Sequence, residues 1–437
     1  MSSAQGRQPA IVFIFITLVL AVVGFGLLIP VLPKIVVQLQ GGAVSEGSHT
    51  YGWIISSYAL MQFVCAPILG ALSDQFGRRK IILIATAGSA LDYLLMAVAP
   101  SLGWFFLARI IAGGTAGVLS TANAYIADIT PPEKRAQSFG LLGAAFGIGF
   151  VIGPVLGGVL GNIDLRLPFW VAAGCSGVNW LWGCFVLPES LKPENRRKFE
   201  WGRANPVGAL VALKRFPSVL GLAECYFILM LAQAMIQTTW ALYTDYRYQW
   251  TPLNIGLSLM LAGVLTGLVQ AVVVKKAVPA LGETRAVLAG FTVSIIAQLG
   301  YALSTEGWMI YAIICFGAFS GIAGPALQSY ITKHVPANEQ GAVQGVYAGL
   351  ASLAGVPGPV IGTWAFGSAV DPDKTVHLPE FFSVLEPALN WTLRHLVPHH
   401  PGASFFLGSL FSFCALVLAW RSFRRDRARE AAEPRPA

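Results

Sequence analysis

Asp92 is a lone carboxylate about twelve residues into an apolar run. At the centre of a membrane-spanning helix such a group costs about 2.5–3.5 kcal/mol on insertion scales, so it faces protein or water and usually has a function. Desolvation favours the neutral form of a carboxyl, which suits reversible protonation. A purely structural hydrogen-bonding acid is the other reading. Arg109 lies about six residues inside the following run, where it could orient a proton-carrying acid, and Glu224 is a second acid, near the start of a later run. Just upstream of Asp92, the polar connector Gly70-Ala-Leu-Ser-Asp74-Gln-Phe-Gly77-Arg78-Arg79 joins two long apolar stretches. Gly70 and Gly77 permit close helix approach and a tight backbone. Asp74 can accept from an exposed helix N-terminus, while Arg78 and Arg79 can pair with carboxylates such as Asp128. Alternatively, Arg78, Arg79 and Lys80 are only membrane-surface anchors.

The elements that must position these groups follow from composition. Of 437 residues 55% are hydrophobic and 11% charged, too few charges to cover a water-soluble surface. Apolar runs long enough to cross a hydrocarbon core of roughly 30 Å recur along the chain. They predict an all-α membrane protein of twelve transmembrane helices: 9–38, 51–72, 80–99, 103–128, 135–161, 167–188, 217–243, 253–275, 284–303, 307–332, 340–368 and 402–422. The first run is too long for a signal h-region and lacks a cleavage site, so it reads as a retained span. All six cysteines fall inside predicted spans without CxxC spacing and read as packing residues.

Basic residues predict the orientation. With both termini cytoplasmic, 23 of the 29 Lys and Arg lie inside; Lys34, Arg166, Arg247, Lys374 and Arg394 lie outside, and Arg109 is within a span. The net charge of +8 then belongs to the inner leaflet and calls for no nucleic acid. A shift of 205 residues superposes Gly77 on Gly282, Tyr125 on Tyr330, Ile126 on Ile331, Pro131 on Pro336, Gly140 on Gly345, Gly153 on Gly358, Pro154 on Pro359 and Gly157 on Gly362. The repeat predicts two pseudo-symmetric six-helix bundles, over 1–189 and 216–437, joined by a charged cytoplasmic linker over 190–215. The second bundle carries an outer loop over 369–402 and a basic tail over 423–437. In that loop Phe381, Phe382, Leu385, Leu389, Leu393 and Leu396 follow helical spacing, as an amphipathic lid or an inert insertion would. His395, His399 and His400 cluster there without a ligand-like pattern.

Gly24-x-Gly26-x-x-x-Pro30-x-x-Pro33, Gly70-x-x-x-Asp74-x-x-Gly77-Arg78-Arg79, Arg109-x-x-x-Gly113, Ala127-Asp128-Ile129-Thr130 and Gly149-x-x-x-Gly153-Pro154-x-x-Gly157-Gly158 occur in that order. Together they resemble the major facilitator superfamily, within it the twelve-helix drug/proton antiporters, and most closely the tetracycline-efflux group. The resemblance implies that the connector and Asp128 act as a latch between halves. It also implies that the fifth helix, through Gly149, Gly153, Pro154, Gly157 and Gly158, lies at their interface, although those glycines would serve close packing equally well. Asp92 followed by Tyr93 matches an acidic position of the family's third helix. Tetracycline carriers have an acid where Ala21 stands, a histidine at the position of Thr266 and an acid at that of Ser294; these departures weigh against tetracycline itself.

The remaining polar candidates for a cavity are Gln62, Asn123, Gln233, Gln237, Trp240 and Gln328, which with nearby aromatics suit an amphiphilic organic molecule. Each could instead bond a neighbouring helix. There is no nucleophile–base pair, HExxH or P-loop, which points away from an enzyme and from ATP as the energy source. The expectation is a monomeric secondary transporter of the plasma (inner) membrane that exports small amphiphilic compounds in exchange for protons, with no cofactor beyond the proton gradient. Its partners are the substrate, protons and membrane lipid. Uptake or exchange of a native metabolite is the alternative, since one such scaffold can run either way.

Overall fold

A computed structural model of the chain describes residues 7–41, 43–131, 134–201, 205, 217–333, 335, 340–371, 387 and 400–432. The described residues form helices and connections, with no strand among them. Twelve helices are long and apolar enough to cross a membrane: α1 (Ala10–Leu28), α2 (Val44–Phe76), α3 (Arg78–Val98), α4 (Leu102–Ile129), α5 (Ser138–Ile163), α6 (Leu167–Val186), α7 (Gly221–Tyr248), α8 (Pro252–Leu281), α9 (Glu283–Leu303), α10 (Gly307–Lys333), α11 (Gly345–Val370) and α12 (Ala403–Arg425). Helices satisfy every backbone group within the segment, as lipid demands.

The twelve predicted spans are all present, and the first contains a break that its apolar run conceals. The first span ends at Leu28, and a short helix, Leu32–Leu39, follows a turn. Pro30 cannot donate to the ladder, and Pro33 sits in the first turn of the short helix, where its missing N–H costs nothing. The linker over 206–216 and nearly all of the outer loop, including His395 and His399, lie outside the described residues.

The repeat extends to irregularities inside the helices. α4 is interrupted at Thr115–Gly117, and α10 carries a 3₁₀ turn over Ala318–Ile322. The 205-residue shift places 115–117 on 320–322. In α4 the sequence Gly113-Gly114-Thr115 has weak helix propensity, and the Thr115 hydroxyl donates back to the Ile111 and Ala112 carbonyls. The two helix starts that follow the polar connectors also match. Gly77 precedes α3 with φ 104° and Gly282 precedes α9 with φ 78°, a region that side chains with a Cβ avoid.

Packing divides the chain into two units. Unit 1 comprises residues 1–42, 54–208 and 250–263; unit 2 comprises 43–53, 209–249 and 264–437. The first turns of α2 therefore pack with unit 2, and those of α8 with unit 1; under the repeat these segments correspond. In unit 1, Phe13, Ile14, Ile82, Tyr125 and Ile126 form a buried core. In unit 2, Phe291, Ala326, Leu327, Ile331 and Phe423 form another.

Candidate functional site

Unit 1 contains a cavity of about 310 Å³ bounded by α1, α2, α3, α4 and α5. Ala21, Val22 and Phe25 form its α1 side, Tyr58 and Gln62 come from α2, and Phe146 from α5. Asp92 and Arg109 reach it from α3 and α4. Both are almost wholly buried, at 1% and 4% exposure, and they form a two-point ion pair. Arg109 Nε donates to Asp92 Oδ1 at 3.1 Å, and Nη2 donates to Oδ2. The guanidinium carbon also lies 5.5 Å from the centre of the Tyr58 ring, a cation–π distance. Asp92 is thus not a bare carboxylate. The pairing offsets part of the insertion cost that makes it conspicuous, since forked charge-assisted bonds are strong. Behind it, the Tyr93 ring fills the space a side chain at Gly24 would occupy.

The connector between α2 and α3 is a second cluster, also within unit 1. Arg78 is bonded to Asp74 at 2.5 Å, to Asp128 at 3.3 Å and to the Ser73 hydroxyl at 2.5 Å. Ser190 Oγ donates to the same Asp128 oxygen at 3.0 Å. Arg79 instead donates to the Cys184 carbonyl at 2.6 Å. At the N-terminus of α3 the Arg78 N–H donates to Glu189 Oε1 at 2.8 Å, while Asp74 pairs with the Arg78 side chain. The expectation of a close helix approach at Gly70 needs correction. A Cβ at Gly70 would meet nothing within 4 Å, so Gly70 serves no close helix approach in unit 1. It lines a small cavity with Asp74, Arg197 and Lys198. At Gly77, in contrast, a Cβ would strike the Glu189 carboxylate. In sequence Glu189, an acid after Pro188 at the end of a span, reads as linker; its place beside the α3 N-terminus reveals its role.

The repeat reproduces this cluster in unit 2 with its charges exchanged. Arg78 corresponds to Glu283 and Asp128 to Lys333, and these two pair at 2.8 Å. The Ser329 hydroxyl donates to the same Glu283 oxygen at 2.5 Å.

The glycines of α5 accommodate two neighbours. A Cβ at Gly153 would lie 2.8 Å from the Val23 carbonyl, and one at Gly157 would lie 2.5 Å from that of Leu27; Gly149 meets Val22. This face receives α1, with Pro154 against Gly26. Gly158 points elsewhere, onto the backbone of Pro252 and Leu253 at the start of α8. Close packing therefore accounts for all four glycines. Replacing Gly157 with Leu forces α1 and α5 apart, and overpacking of this kind costs about 1–3 kcal/mol. We expect a lower Tm in detergent for Gly157→Leu but not for Gly147→Leu, since a Cβ at Gly147 meets nothing within 4 Å.

The other candidates separate. Gln62 lines the unit 1 cavity. Asn123 is half-buried on α4, Gln233 and Gln237 are exposed on α7, Gln328 is exposed on α10, and Glu224 is exposed near the start of α7. Trp240 is a correction: it is 5% exposed and packed edge-on against Tyr301 and Phe405, so it builds the core of unit 2. Thr266 lies beside Gly321, and Ser294 accepts a hydrogen bond from Gln298 at 2.9 Å. Among the described residues no cluster suits a metal ion. Of the three loop histidines, His400 is described: its Nδ1 accepts from the Gly402 N–H at 3.0 Å, just before α12.

Burial, and secondarily the Arg247 charge, holds the His400 pKa below its ordinary 6.5. A depressed pKa means that the unfolded chain binds the proton more readily. The stability this group contributes is full above about pH 6.5 and is lost as the pH falls through the folded value. Between about pH 7 and pH 5 the Tm of wild type should therefore fall more steeply than that of His400→Gln.

Among the described residues, twelve membrane-length helices and a buried ion pair on a cavity wall, with the 205-residue repeat of the sequence, suit a membrane transporter. The chain belongs to the major facilitator superfamily, whose family model matches residues 14–359. It is 41% identical over 360 residues to the class C tetracycline resistance protein of Escherichia coli, covering 82% of this chain and 90% of that one. It is 27% identical to multidrug resistance protein 2 of Bacillus subtilis (strain 168), covering 88% and 94%. Among solved structures, a bacterial homologue of the human lysosomal transporter Spinster shares the fold, with a TM-score of 0.73, 17% identity and coverage of 96% and 97%. The human organic anion transporter MFSD10 shares it with a TM-score of 0.66, 23% identity and coverage of 94% and 99%. The protein is accordingly an integral membrane transporter and not an enzyme.

Proposed function

We propose that the protein exports small amphiphilic organic compounds from the cell in exchange for protons, by alternating access, with Asp92 as the proton carrier. The observation that carries this reading is the Asp92–Arg109 pair on the cavity wall of unit 1. A carboxylate whose partner is a fixed cation can take up a proton only by giving up part of that pairing, so proton binding and the shape of the cavity wall are coupled. Relatives known as tetracycline and multidrug resistance proteins support the direction and the cargo class. The walls contributed by Val22, Phe25, Tyr58, Leu119 and Phe146 suit an apolar body, and Gln62 offers a polar contact. Tetracycline is a weaker candidate than other amphiphiles, because Ala21 puts a methyl group where the tetracycline carriers have an acid. The arrangement of Lys and Arg supports cytoplasmic termini in the plasma membrane. The test is transport into inverted membrane vesicles of compounds chosen from a susceptibility panel in an efflux-deficient host. Accumulation should require an imposed pH gradient and collapse when the gradient is dissipated. Accumulation that ignores the gradient defeats proton exchange, and net uptake by whole cells defeats export.

A further inference from the structure

The unit 1 cavity carries two fixed charges on one wall, Asp92 and Arg109, and they neutralise each other. Among the described residues no other acidic or basic side chain lines it, so the charge of a ligand is met by opening this pair. Four kinds of ligand can be weighed against that requirement, given the export reading above. A neutral ligand that leaves the pair closed has no means of competing with a proton for Asp92. A simple anion that takes Arg109 leaves the carboxylate without its counter-charge and so favours its protonation. Anion and proton would then bind together and travel the same way, the opposite of exchange. A simple cation competes with the proton at Asp92 but takes from the buried guanidinium its forked carboxylate contact, which is costly. A ligand bearing both an ammonium and an anionic oxygen replaces both halves of the pair and leaves no charge unmatched. Protonation of Asp92 then expels its ammonium end, so proton and ligand exclude each other as exchange requires.

Resting on that export reading, we infer that the cavity's substrates are zwitterionic amphiphiles, with an anionic oxygen on Arg109, an ammonium on Asp92 and an aromatic or aliphatic body against Phe25, Phe146 and Leu119. The Tyr58 ring, 5.5 Å from the guanidinium carbon, holds Arg109 at the wall while its partner changes. No bond is made or broken; only the Asp92 proton and the ion-pair partners are exchanged.

The experiment uses one aromatic scaffold in three charge states: 3-amino-2-(biphenyl-4-ylmethyl)propanoate, whose ammonium and carboxylate are close enough to meet the adjacent Asp92 and Arg109 together, its methyl ester and its N-acetyl derivative. Binding to the purified full chain is measured by titration calorimetry at neutral pH. The zwitterion should bind at least about tenfold more tightly than the cationic ester or the anionic N-acetyl compound, a factor typical of one lost charge-assisted contact. The order should change in a set way: the anion binds best to Asp92→Asn, and the cation binds best to Arg109→Gln. Three wild-type affinities within about threefold of one another, or no binding by any of the three, overturn the inference, as do variants that retain the wild-type order. The wild-type series decides the matter even if a variant does not fold. Should it fail while gradient-driven export of panel compounds persists in vesicles, only the substrate class is wrong. If no compound is exported, the export reading itself falls.

Discussion

Asp92→Asn should abolish gradient-driven export in inverted vesicles, reducing it at least about tenfold at equal protein, while Asp92→Glu keeps a measurable fraction. Asparagine preserves the size of the side chain and a hydrogen bond to Arg109 but cannot carry the proton. The structural contribution of the pair can be separated from this effect. Asp92→Ala takes the forked carboxylate partner from the Arg109 guanidinium, which is buried at 4% exposure, and breaking a buried pair in this way costs about 3–5 kcal/mol. Its Tm should fall well below that of wild type. Adding Arg109→Leu to Asp92→Ala removes the other half of the pair and should recover most of the Tm without recovering transport. Full transport in the Asp92→Asn variant would show that the pair only holds α3 to α4.

The second large effect concerns the connector. Arg78→Glu replaces a cation bonded to Asp74, Asp128 and Ser73 by an anion beside two carboxylates, with Glu189 at its own backbone. Export should fall at least about tenfold, with protein abundance reduced, since like charges at contact distance repel by as much as opposite ones attract. Adding Asp128→Lys should restore little, because Asp74 and Glu189 still fix the polarity of the site. In unit 2 the Ser329 hydroxyl bonds to the Glu283–Lys333 pair, and a hydroxyl serves either charge. There the double reversal Glu283→Lys with Lys333→Glu should retain most of the activity, measured as resistance conferred at equal expression. Equal rescue at both sites would show that the surrounding acids of unit 1 are immaterial.

Much of the fold could be read because lipid imposes a coarse rule. A span needs about twenty apolar residues, and polar connectors stand out between them. The break after Leu28 was hidden for the same reason: Pro30 and Pro33 interrupt a helix without interrupting its hydrophobicity. Asp92 was conspicuous because it is costly, yet its partner was less so. Arg109 is seventeen residues away across a loop, and spacing along the chain says nothing of how two helices face each other. Residue type alone suggests Trp240 for a substrate cavity, whereas packing against Tyr301 and Phe405 claims it for the core. Among the connector residues Gly77 showed its role, since a turn into a helix demands one. Gly70 did not, because a glycine facing open space has the same letter as one in close contact.

The exchanged charges of the two connectors bear on how a duplicated chain keeps its halves apart while it folds. Homologous repeats tempt each other into swapped packing, in which an element of one half takes the place of its counterpart in the other. Had both repeats kept an arginine followed by an aspartate, every swapped pairing at this site would be as attractive as the correct one. With Arg78–Asp128 in one half and Glu283–Lys333 in the other, a swap sets Arg78 against Lys333 and Glu283 against Asp128. Each correct pair attracts and each swapped pair repels, so the polarity reversal labels the two halves for assembly during synthesis, before any substrate is bound.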